Sequence, residues 1–350
     1  MVDDPLIGKV LNERFRIVSR IGTGGMGLVY KAVQLPLERV VALKVLNPWY
    51  DAEKDPEFEK RFFLEASVTS KLKHPNTVTV HDYGRTDDGL LYLAMEYLEG
   101  ETLHLLLARE TKLPWQRAMN IGSQIARSVR EAHQAHLVHR DLKPANIMLL
   151  SDATGGDMVK VLDFGLVKAL PTPENPADSD EEITLSGVLM GSPMYIAPEQ
   201  ARREFDGRTD IYTLGILLFQ MLTGRPPFQG TDSLELIVQH MKEAPPSVGS
   251  LVTGVPPAVE ALVMKCLEKE PQARFQTMGE VIDAIRDVMA GQNNGGLFLD
   301  PRRAPVAPQE PVEAPAPPAP VLKNQLILVG AAFAVVLLIA LALWLRSHAS

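Results

Sequence analysis

Apolar and polar side chains alternate in short stretches through the first hundred residues of the chain. Alternation with a period of two, bounded by glycine, proline and charged residues, predicts β-strands joined by tight turns. Residues 57–72 instead repeat apolar side chains at the period of a helix. One helix beside a small antiparallel sheet is an α+β arrangement. The predicted strands are residues 15–18, 29–33, 40–46, 78–80 and 90–97.

A helical period replaces this alternation after residue 98. Residues 115–134 follow it throughout, and further helices are predicted at 259–267 and 278–289. The stretch 210–223 is apolar on nearly every face and stops at Gly224. A helix of that length is too short to cross a bilayer. It is therefore predicted to be the buried axis of a large helical lobe.

Composition changes sharply towards the C-terminal end. Residues 301–320 are rich in proline and alanine, which favours an extended spacer without a core of its own. Residues 326–345 are a run of twenty residues without charge, with Trp344 near its end. At about 1.5 Å per residue such a helix spans roughly 30 Å, the thickness of a bilayer core. We therefore expect a linker over residues 290–323 and a transmembrane helix over 324–346.

The overall composition narrows the function classes. The chain has 350 residues, 46% of them hydrophobic and 22% charged, which allows a large core. Its formal net charge of −8 argues against nucleic acid as a partner, because a nucleic-acid-binding protein needs a basic face. Cys266 is the single cysteine, so the chain cannot form a disulfide with itself. The first five residues are acidic and lead into no apolar run, so no signal peptide is expected.

The chemistry of the chain is concentrated in two short segments. The first is the run 139–146, His-Arg-Asp-Leu-Lys-Pro-Ala-Asn, and the second is Asp-Phe-Gly at 163–165. Together they supply two carboxylates, an ammonium and a carboxamide, the set that holds magnesium-ATP and orients a hydroxyl for attack on its terminal phosphate. Taken singly, each residue also fits a turn or a helix cap. Four of them in this order favour the chemistry.

The order and separation of the two segments match the motif set of protein kinases. From residue 15 to residue 289 the chain resembles the eukaryotic-like, transmembrane serine/threonine protein kinases of bacteria. The resemblance implies an α+β, two-lobed protein kinase fold. A small β-rich N-lobe (15–97) would precede a large helical C-lobe (98–289), with ATP in the cleft between them.

The resemblance also implies roles for side chains of the two segments. Asp141 would accept or orient the proton of the attacking hydroxyl, and Lys143 would neutralise charge on the transferred phosphoryl group. Asn146 and Asp163 would hold Mg²⁺, with Mn²⁺ as the alternative ion, through hard oxygen ligands. His139 is expected to be a packing and hydrogen-bonding residue rather than a base.

A glycine-rich turn between two predicted strands is the expected cover of the ATP phosphates. Gly22, Gly24 and Gly27 are spaced G-x-G-x-x-G. Because strands flank them on both sides, the strand-turn-helix of a dinucleotide-binding fold is disfavoured. Val29 and Ala42 would sandwich the adenine ring. The residues implied to bind the nucleotide are Ile21, Gly22, Thr23, Gly24, Gly25, Met26, Gly27, Val29, Ala42, Lys44, Glu65, Glu96 and Leu98.

Lys44 stands in a predicted buried strand, where a lysine without a partner is costly. The resemblance implies that it contacts the α- and β-phosphates and pairs with a carboxylate on the helix at 57–72. Glu65 is the predicted partner, because it shares a helical face with apolar residues. Glu59, the competitor, points off that face and is expected to be an ordinary exposed charge.

Met95 precedes a segment that resembles the hinge between kinase lobes. The backbone groups of Glu96 and Leu98 would bond the edge of the adenine ring. Met95 itself looks like the residue that closes the back of the nucleotide pocket. A methionine at this place fits an ordinary core position equally well, and the two interpretations are compatible.

The segment 191–199 resembles the end of a kinase activation segment and is implied to dock the substrate peptide. Ser192 stands where family members more often carry threonine, and its hydroxyl keeps the ability to bond Asp141 or Lys143 of the catalytic loop, the run 139–146. Glu199 is expected to pair with Arg274 in a structural ion pair. Asp210 is expected to cap backbone N–H groups of the catalytic loop.

Residues 171–186 are polar and acidic, which fits a mobile loop. A sharper hypothesis places regulatory phosphorylation sites at Thr184 and Ser186, where bacterial relatives carry them. The resemblance implies that such a phosphate would supply the counter-charge to Arg140, which precedes Asp141. The acidic neighbours would also partly substitute for phosphate, so the dependence on phosphorylation is expected to be weak.

The resemblance implies a non-specific serine/threonine protein kinase that transfers the ATP γ-phosphoryl group to protein hydroxyls. We expect a single-pass protein of the cell membrane with its kinase domain in the cytoplasm. Its expected partners are ATP, protein substrates, the lipid bilayer and a second copy of the chain for autophosphorylation in trans. The alternative is a catalytically inactive, membrane-anchored scaffold that keeps the fold for binding.

Overall fold

A six-stranded antiparallel sheet forms the N-terminal lobe. In this computed structural model the strands follow the order β1-β2-β3-β4-β6-β5. The described residues are 4–24, 27–46, 58–151, 155–164, 193–202 and 204–291, and all belong to the first of two units, 1–299 and 300–350. The strands are β1 Val10–Leu11, β2 Phe15–Gly24, β3 Gly27–Gln34, β4 Arg39–Leu46, β5 Val80–Arg85 and β6 Leu91–Glu96.

Four of the five predicted strands are confirmed: three lie within β2, β3 and β4, and the fourth, 90–97, extends one residue beyond β6 at each end. The prediction of a strand at 78–80 is wrong in extent, because β5 begins at Val80 and continues through polar residues to Arg85. β5 lies at the edge of the sheet, and most of its side chains are half-exposed. An edge strand of this kind needs no apolar alternation, so the sequence pattern did not reveal it.

Helix α1, Phe58–Thr69, packs its apolar stripe against the sheet and confirms the helical period predicted there. Phe58, Phe62 and Ala66 are buried at intervals of four residues, which places them on one side of the helix. They share an apolar cluster with Leu93 and Met95 of β6. The small lobe therefore has its core between α1 and one face of the sheet.

The C-terminal lobe is helical and surrounds helix α4. Nearly every side chain of α4 is buried, as its all-round apolar sequence predicts. Asp206 caps its start by accepting from the Arg208 N–H, and Gly224 ends it with a positive φ of 84°. The helices are α2 Leu103–Glu110, α3 Trp115–Gln134, α4 Gly207–Thr223, α5 Ser233–Lys242, α6 Val248–Leu251, α7 Pro257–Cys266 and α8 Met278–Met289.

A second, three-stranded sheet lies where the two lobes meet. It consists of β7 (Glu101–Thr102), β8 (Ile147–Ser151) and β9 (Asp157–Val161), in that order. The start of β8 pairs with the end of β9, so the residue before β8 lies beside the residue after β9. A parallel bridge between Thr77 and Val161 joins this sheet to the chain leading into β5.

No helix in the described ranges is long and apolar enough to cross a bilayer. The predicted transmembrane helix, 324–346, lies outside those ranges, as does the predicted linker from residue 292 onwards.

Candidate active site

The glycine-rich turn joins β2 to β3 as the sequence predicts. Gly24 pairs with Gly27 across the hairpin. A Cβ atom at Gly27 would collide with the backbone carbonyl of Val45 on the neighbouring strand, so this position requires glycine. Gly22 has room for a side chain, which shows that the steric demand falls on the last glycine of the motif. Gly25 and Met26, two predicted nucleotide contacts, lie outside the described residues.

One face of the small-lobe sheet carries the predicted adenine and phosphate contacts. Val29 stands opposite Lys44 in the β3–β4 ladder, and Ala42 stands opposite Met95 in the β4–β6 ladder. Residues directly opposite in antiparallel strands share a face. Val29 and Ala42 belong to an apolar cluster that also includes Leu98 and Leu162. The face therefore turns towards the segment that follows β9.

The side chain of Lys44 extends from this face to Asp163 of the second motif segment. Its Nζ lies 2.8 Å from Oδ1 of Asp163. The lysine is buried, whereas the aspartate side chain is about one-third exposed, at 31%. Asp163 has a positive φ of 50°, an uncommon backbone conformation for a non-glycine residue. The contacts around Asp163, including its ion pair with Lys44, hold its backbone in this conformation.

The ion pair that the structure shows for Lys44 is with Asp163, and the pairing with Glu65 remains a prediction. Glu65 is half-buried on α1, and its charge acts on the Arg140 guanidinium. Glu59 is 45% exposed and lies 3.3 Å from Arg85, which confirms that it is a surface charge.

The first motif segment brings three of its polar side chains together. Lys143 Nζ lies 2.8 Å from Oδ2 of Asp141. The amide nitrogen of Asn146 donates to the same Oδ2 at 3.1 Å and to the Asp141 backbone carbonyl at 2.8 Å. Both bonds use the amide nitrogen, so the amide oxygen points away from Asp141. The two segments meet where the Leu162 N–H donates to the Asn146 carbonyl at 2.9 Å.

His139 connects the two segments from within the core. Its Nε2 lies 2.9 Å from the Leu162 carbonyl, which can only accept, so Nε2 carries the proton. Nδ1 then accepts from the Asp141 N–H at 3.3 Å. Burial lowers the pKa of His139, although three nearby carboxylates oppose this shift, so the ring is neutral. Its packing against Phe164, 4.7 Å between ring centres, confirms the predicted structural role.

Asp210, on the buried helix α4, holds the backbone of the first segment. Oδ2 accepts from the His139 N–H at 2.8 Å and from Nε2 of His133 at 2.8 Å, and Oδ1 accepts from the Arg140 N–H at 2.9 Å. Burial alone would raise the pKa of Asp210, but the hydrogen bonds from the His133 side chain and the His139 N–H keep it below its ordinary value. The predicted capping role is confirmed.

These residues supply oxygen ligands suited to a magnesium ion. The carboxylate of Asp163 and the amide oxygen of Asn146 are hard donors. Within the described ranges, no group of three His, Cys, Asp or Glu side chains forms a metal site made of protein alone. Mg²⁺ typically takes one or two protein ligands and completes its shell with substrate phosphates and water. The donor set therefore fits an ion that arrives together with a nucleotide.

Comparison with known proteins assigns this arrangement to a family. The family described as "Protein kinase domain" matches residues 15–284. The chain belongs to the protein kinase family. Its relatives further place it among the bacterial serine/threonine kinases, and the kinase fold has the β-rich and helical lobes predicted from the sequence.

Three relatives illustrate the similarity. The kinase is 36% identical over 324 residues to "Serine/threonine-protein kinase pkn3" of Myxococcus xanthus, covering 88% of this chain and 58% of that protein. It is 37% identical to PknA of Mycobacterium tuberculosis, with 90% and 68% covered, and 40% identical to PrkC of Bacillus subtilis, with 78% and 40% covered. The chain thus spans between two-fifths and two-thirds of the length of these relatives.

A solved structure shows the same fold. The crystal structure of the Mycobacterium tuberculosis PknI kinase domain is 27% identical to the kinase, with a TM-score of 0.61. The match covers 80% of this chain and 98% of that domain.

The ion pair predicted between Glu199 and Arg274 holds the segment 193–202 against the large lobe. The guanidinium donates to both carboxylate oxygens, at 2.7 and 2.8 Å, and both side chains are buried. Thr209 donates a third bond to Glu199 at 3.0 Å. A bidentate buried pair of this kind fixes the orientation of the segment as well as its position. Ser192 and the predicted phosphorylation sites Thr184 and Ser186 lie outside the described residues.

Lys160 on β9 is a site residue that sequence reasoning missed. Its Nζ lies 2.7 Å from Oε1 of Glu96, at the predicted hinge, and 3.2 Å from the Thr77 carbonyl. The same Glu96 oxygen accepts from the Thr79 N–H at 2.7 Å, and the Glu96 N–H donates to the Thr79 carbonyl. Lys160 thus ties the second sheet to the hinge. A lysine within an apolar strand was the available signal, the same one that singled out Lys44.

The Lys160–Glu96 pair yields a stability prediction. Lys160→Met should leave the Glu96 carboxylate, which is 24% exposed, without its cation, and should lower the free energy of unfolding by about 1–3 kcal/mol. Lys71→Met, at an exposed position, is the matched control and should change it little. Urea titrations of the full-chain variants measure the difference. Adding Glu96→Gln should recover part of the loss, and a double variant with fully additive losses would contradict the pairing.

Proposed function

We propose that the chain is an active serine/threonine protein kinase, in the activity class EC 2.7.11.1, with ATP as phosphoryl donor. The observation that carries the proposal is the meeting of two ion-paired groups. Lys44 with Asp163 forms one, and Lys143, Asp141 and Asn146 form the other. They lie side by side because Leu162, next to Asp163, is hydrogen-bonded to Asn146. The two groups supply the cations, carboxylates and amide that phosphoryl transfer needs in one place.

Each side chain has a distinct task in the proposed reaction. The Asp141 carboxylate orients the acceptor hydroxyl and takes its proton as the new oxygen–phosphorus bond forms and the bond to the ADP oxygen breaks. Lys143 balances negative charge on the γ-phosphoryl group, and Lys44 balances charge on the α- and β-phosphates. Asn146 and Asp163 would hold Mg²⁺, which supplies further positive charge to the phosphates when bound.

The adenine ring is proposed to lie between Val29 and Ala42, against the hinge. The Glu96 N–H is already bonded to Thr79, so the backbone carbonyl of Glu96 is its remaining group for the adenine edge. Leu98 would supply the second backbone contact. The side chain of Glu96 is held by Lys160 and Thr79, which keeps the hinge backbone in place for the nucleotide.

Loss of phosphoryl transfer in carboxylate variants tests the enzyme against the inactive scaffold. Asp141→Asn and Asp163→Asn should each lower kcat by at least about 100-fold, because a proton acceptor or a metal ligand is lost. Asp283→Asn, at a 61% exposed position on α8, is the matched control and should keep the parent rate. Incorporation of labelled phosphate from ATP into a generic basic protein measures this. Equal labelling by the Asp141 variant and the parent would refute the assignment of the chain as an active kinase.

We further propose that Thr184 and Ser186 are autophosphorylation sites that act through Arg140. The Arg140 guanidinium lies 4.1 Å from the ring centre of Phe205, and its buried Nε makes no hydrogen bond to the described residues. Burial lowers the pKa of this arginine, whereas the charges of Glu65 and Asp210 raise it. A phosphate would supply a further counter-charge to a guanidinium placed directly before Asp141.

Mass spectrometry after incubation with ATP tests these sites. Phosphate should appear on Thr184 and Ser186 of the parent, and also on the inactive Asp141→Asn chain when it is mixed with the parent, if two copies act in trans. The double variant Thr184→Ala, Ser186→Ala should lose activity only in part, because acidic neighbours remain. Unmodified Thr184 and Ser186 in a fully active kinase would refute the proposal.

We also propose that residues 324–346 anchor the kinase in the cell membrane. The support is the uncharged run at 326–345 behind a proline-rich spacer, together with the cytoplasmic supply of ATP. The full chain should sediment with membranes and require detergent for release, whereas a chain ending at residue 300 should not sediment. Leu338→Arg should weaken the association, because a charge at the bilayer centre is costly. Equal partitioning of full and shortened chains would exclude the anchor.

A further inference from the structure

A series of hydrogen bonds connects the core of the large lobe to residues 193–199, the segment expected to face the protein substrate. His240, on α5, is fully buried. Its Nε2 lies 3.2 Å from the backbone carbonyl of Met194, and its Nδ1 lies 3.0 Å from the hydroxyl of Tyr212 on α4. The same hydroxyl lies 3.3 Å from Nζ of Lys269.

The chemistry of the partners fixes the direction of every bond in this series. A carbonyl can only accept, so Nε2 of His240 carries the proton and donates to Met194. Nδ1 of the neutral ring then accepts, which makes Tyr212 the donor of its O–H. The Tyr212 oxygen in turn accepts from the ammonium of Lys269. Burial, and next the charge of Lys269, lower the pKa of His240 to about 4, so the neutral ring persists at physiological pH.

Packing around Lys269 and His240 holds this series of hydrogen bonds rigidly in the core of the large lobe. Lys269 also donates to the His240 backbone carbonyl at 2.7 Å, and its ammonium lies 4.4 Å from the ring centre of Phe228. The Phe228 and His240 rings meet edge to face at 4.9 Å. The imidazole therefore has one orientation, and that orientation aims its N–H at Met194.

Met194 lies on a segment that reaches the catalytic loop. The Ala197 N–H donates to Oε1 of Gln200, and Nε2 of Gln200 lies 3.3 Å from the backbone carbonyl of Arg140, the residue before Asp141. In the proposed reaction the acceptor hydroxyl must meet Asp141, so we expect the polypeptide that carries it to pass this segment, which is hydrogen-bonded to the residue before Asp141. A shift of the Met194 backbone would change the surface that the acceptor meets.

We infer that His240 is a positioning residue for the protein substrate, which it serves by holding the Met194 carbonyl in place. The inference rests on the proposed kinase activity. His240 lies on α5, whereas Lys44 lies on β4 and Asp141 and Asp163 lie on loops before β8 and after β9, and the hydrogen bonds of His240 go to Met194, Tyr212 and Lys269. Its loss should therefore affect docking of the acceptor and leave ATP binding unchanged.

Steady-state kinetics of full-chain variants, with an acceptor peptide and ATP varied in turn, test the inference. His240→Phe keeps a ring in the cluster and removes both hydrogen bonds. The KM for the peptide should rise about tenfold, which corresponds to the free energy of one hydrogen bond. The kcat and the KM for ATP should stay within about twofold. His240→Gln, whose amide can again donate to Met194, should recover much of the peptide KM. His104→Phe, at an exposed position, is the matched control and should behave as the parent.

Tyr212→Phe provides a second test. It removes the hydroxyl that donates to Nδ1 of His240 and keeps the hydrogen bond from Nε2 of His240 to the Met194 carbonyl. Its peptide KM should lie between those of the parent and His240→Phe, and this variant decides the matter if His240→Phe does not fold. An unchanged peptide KM in these variants, or equal rises in the KM for peptide and for ATP, would overturn the inference. A parent chain that transfers no phosphate would instead refute the proposed function itself.

Discussion

The organisation of this kinase depends on one buried carboxylate. Asp210 stands on α4, the most buried helix of the large lobe, and accepts hydrogen bonds from the backbone of His139 and Arg140. Arg140 has a positive φ of 61°, a conformation that costs about 1–3 kcal/mol unless the surroundings hold it. Helix α4 holds Arg140 in this conformation through Asp210. It thereby fixes the direction of the backbone towards Asp141.

A neutral histidine passes this constraint on to the second half of the site. His139 is bonded through its backbone to Asp210, through Nδ1 to Asp141 and through Nε2 to Leu162. The position of Asp163, two residues after β9, therefore depends on the same core that holds residues 139–146. Lys44 then joins Asp163 to the small lobe, and Lys160 joins the second sheet to Glu96 on β6. Two buried lysines thus link the small-lobe sheet to the second sheet and the chain that follows it.

Residues that stand in short motifs were predictable from the sequence, and contacts between distant strands were not. The Asp210 cap and the Glu199–Arg274 pair were foreseen because the resemblance places those residues in fixed motifs. The extent of the edge strand β5 and the Lys160–Glu96 pair were missed, because each depends on how strands far apart in the chain lie side by side. The ion pair between Lys44 and Asp163 was not predicted, because it depends on how the chain after β9 approaches the sheet. No spacing in the sequence encodes that approach.

We propose that Lys44, Asp141, Asn146 and Asp163 converge on one nucleotide and its metal ion. A crystal structure of the full chain with Mn²⁺ and a non-hydrolysable ATP analogue tests this convergence, since the anomalous signal of manganese locates the ion. We expect the ion to contact the Asp163 carboxylate and the Asn146 amide oxygen, and Lys44 to lie against the phosphates. A nucleotide bound elsewhere, or an ion that none of these side chains contacts, would refute the proposal.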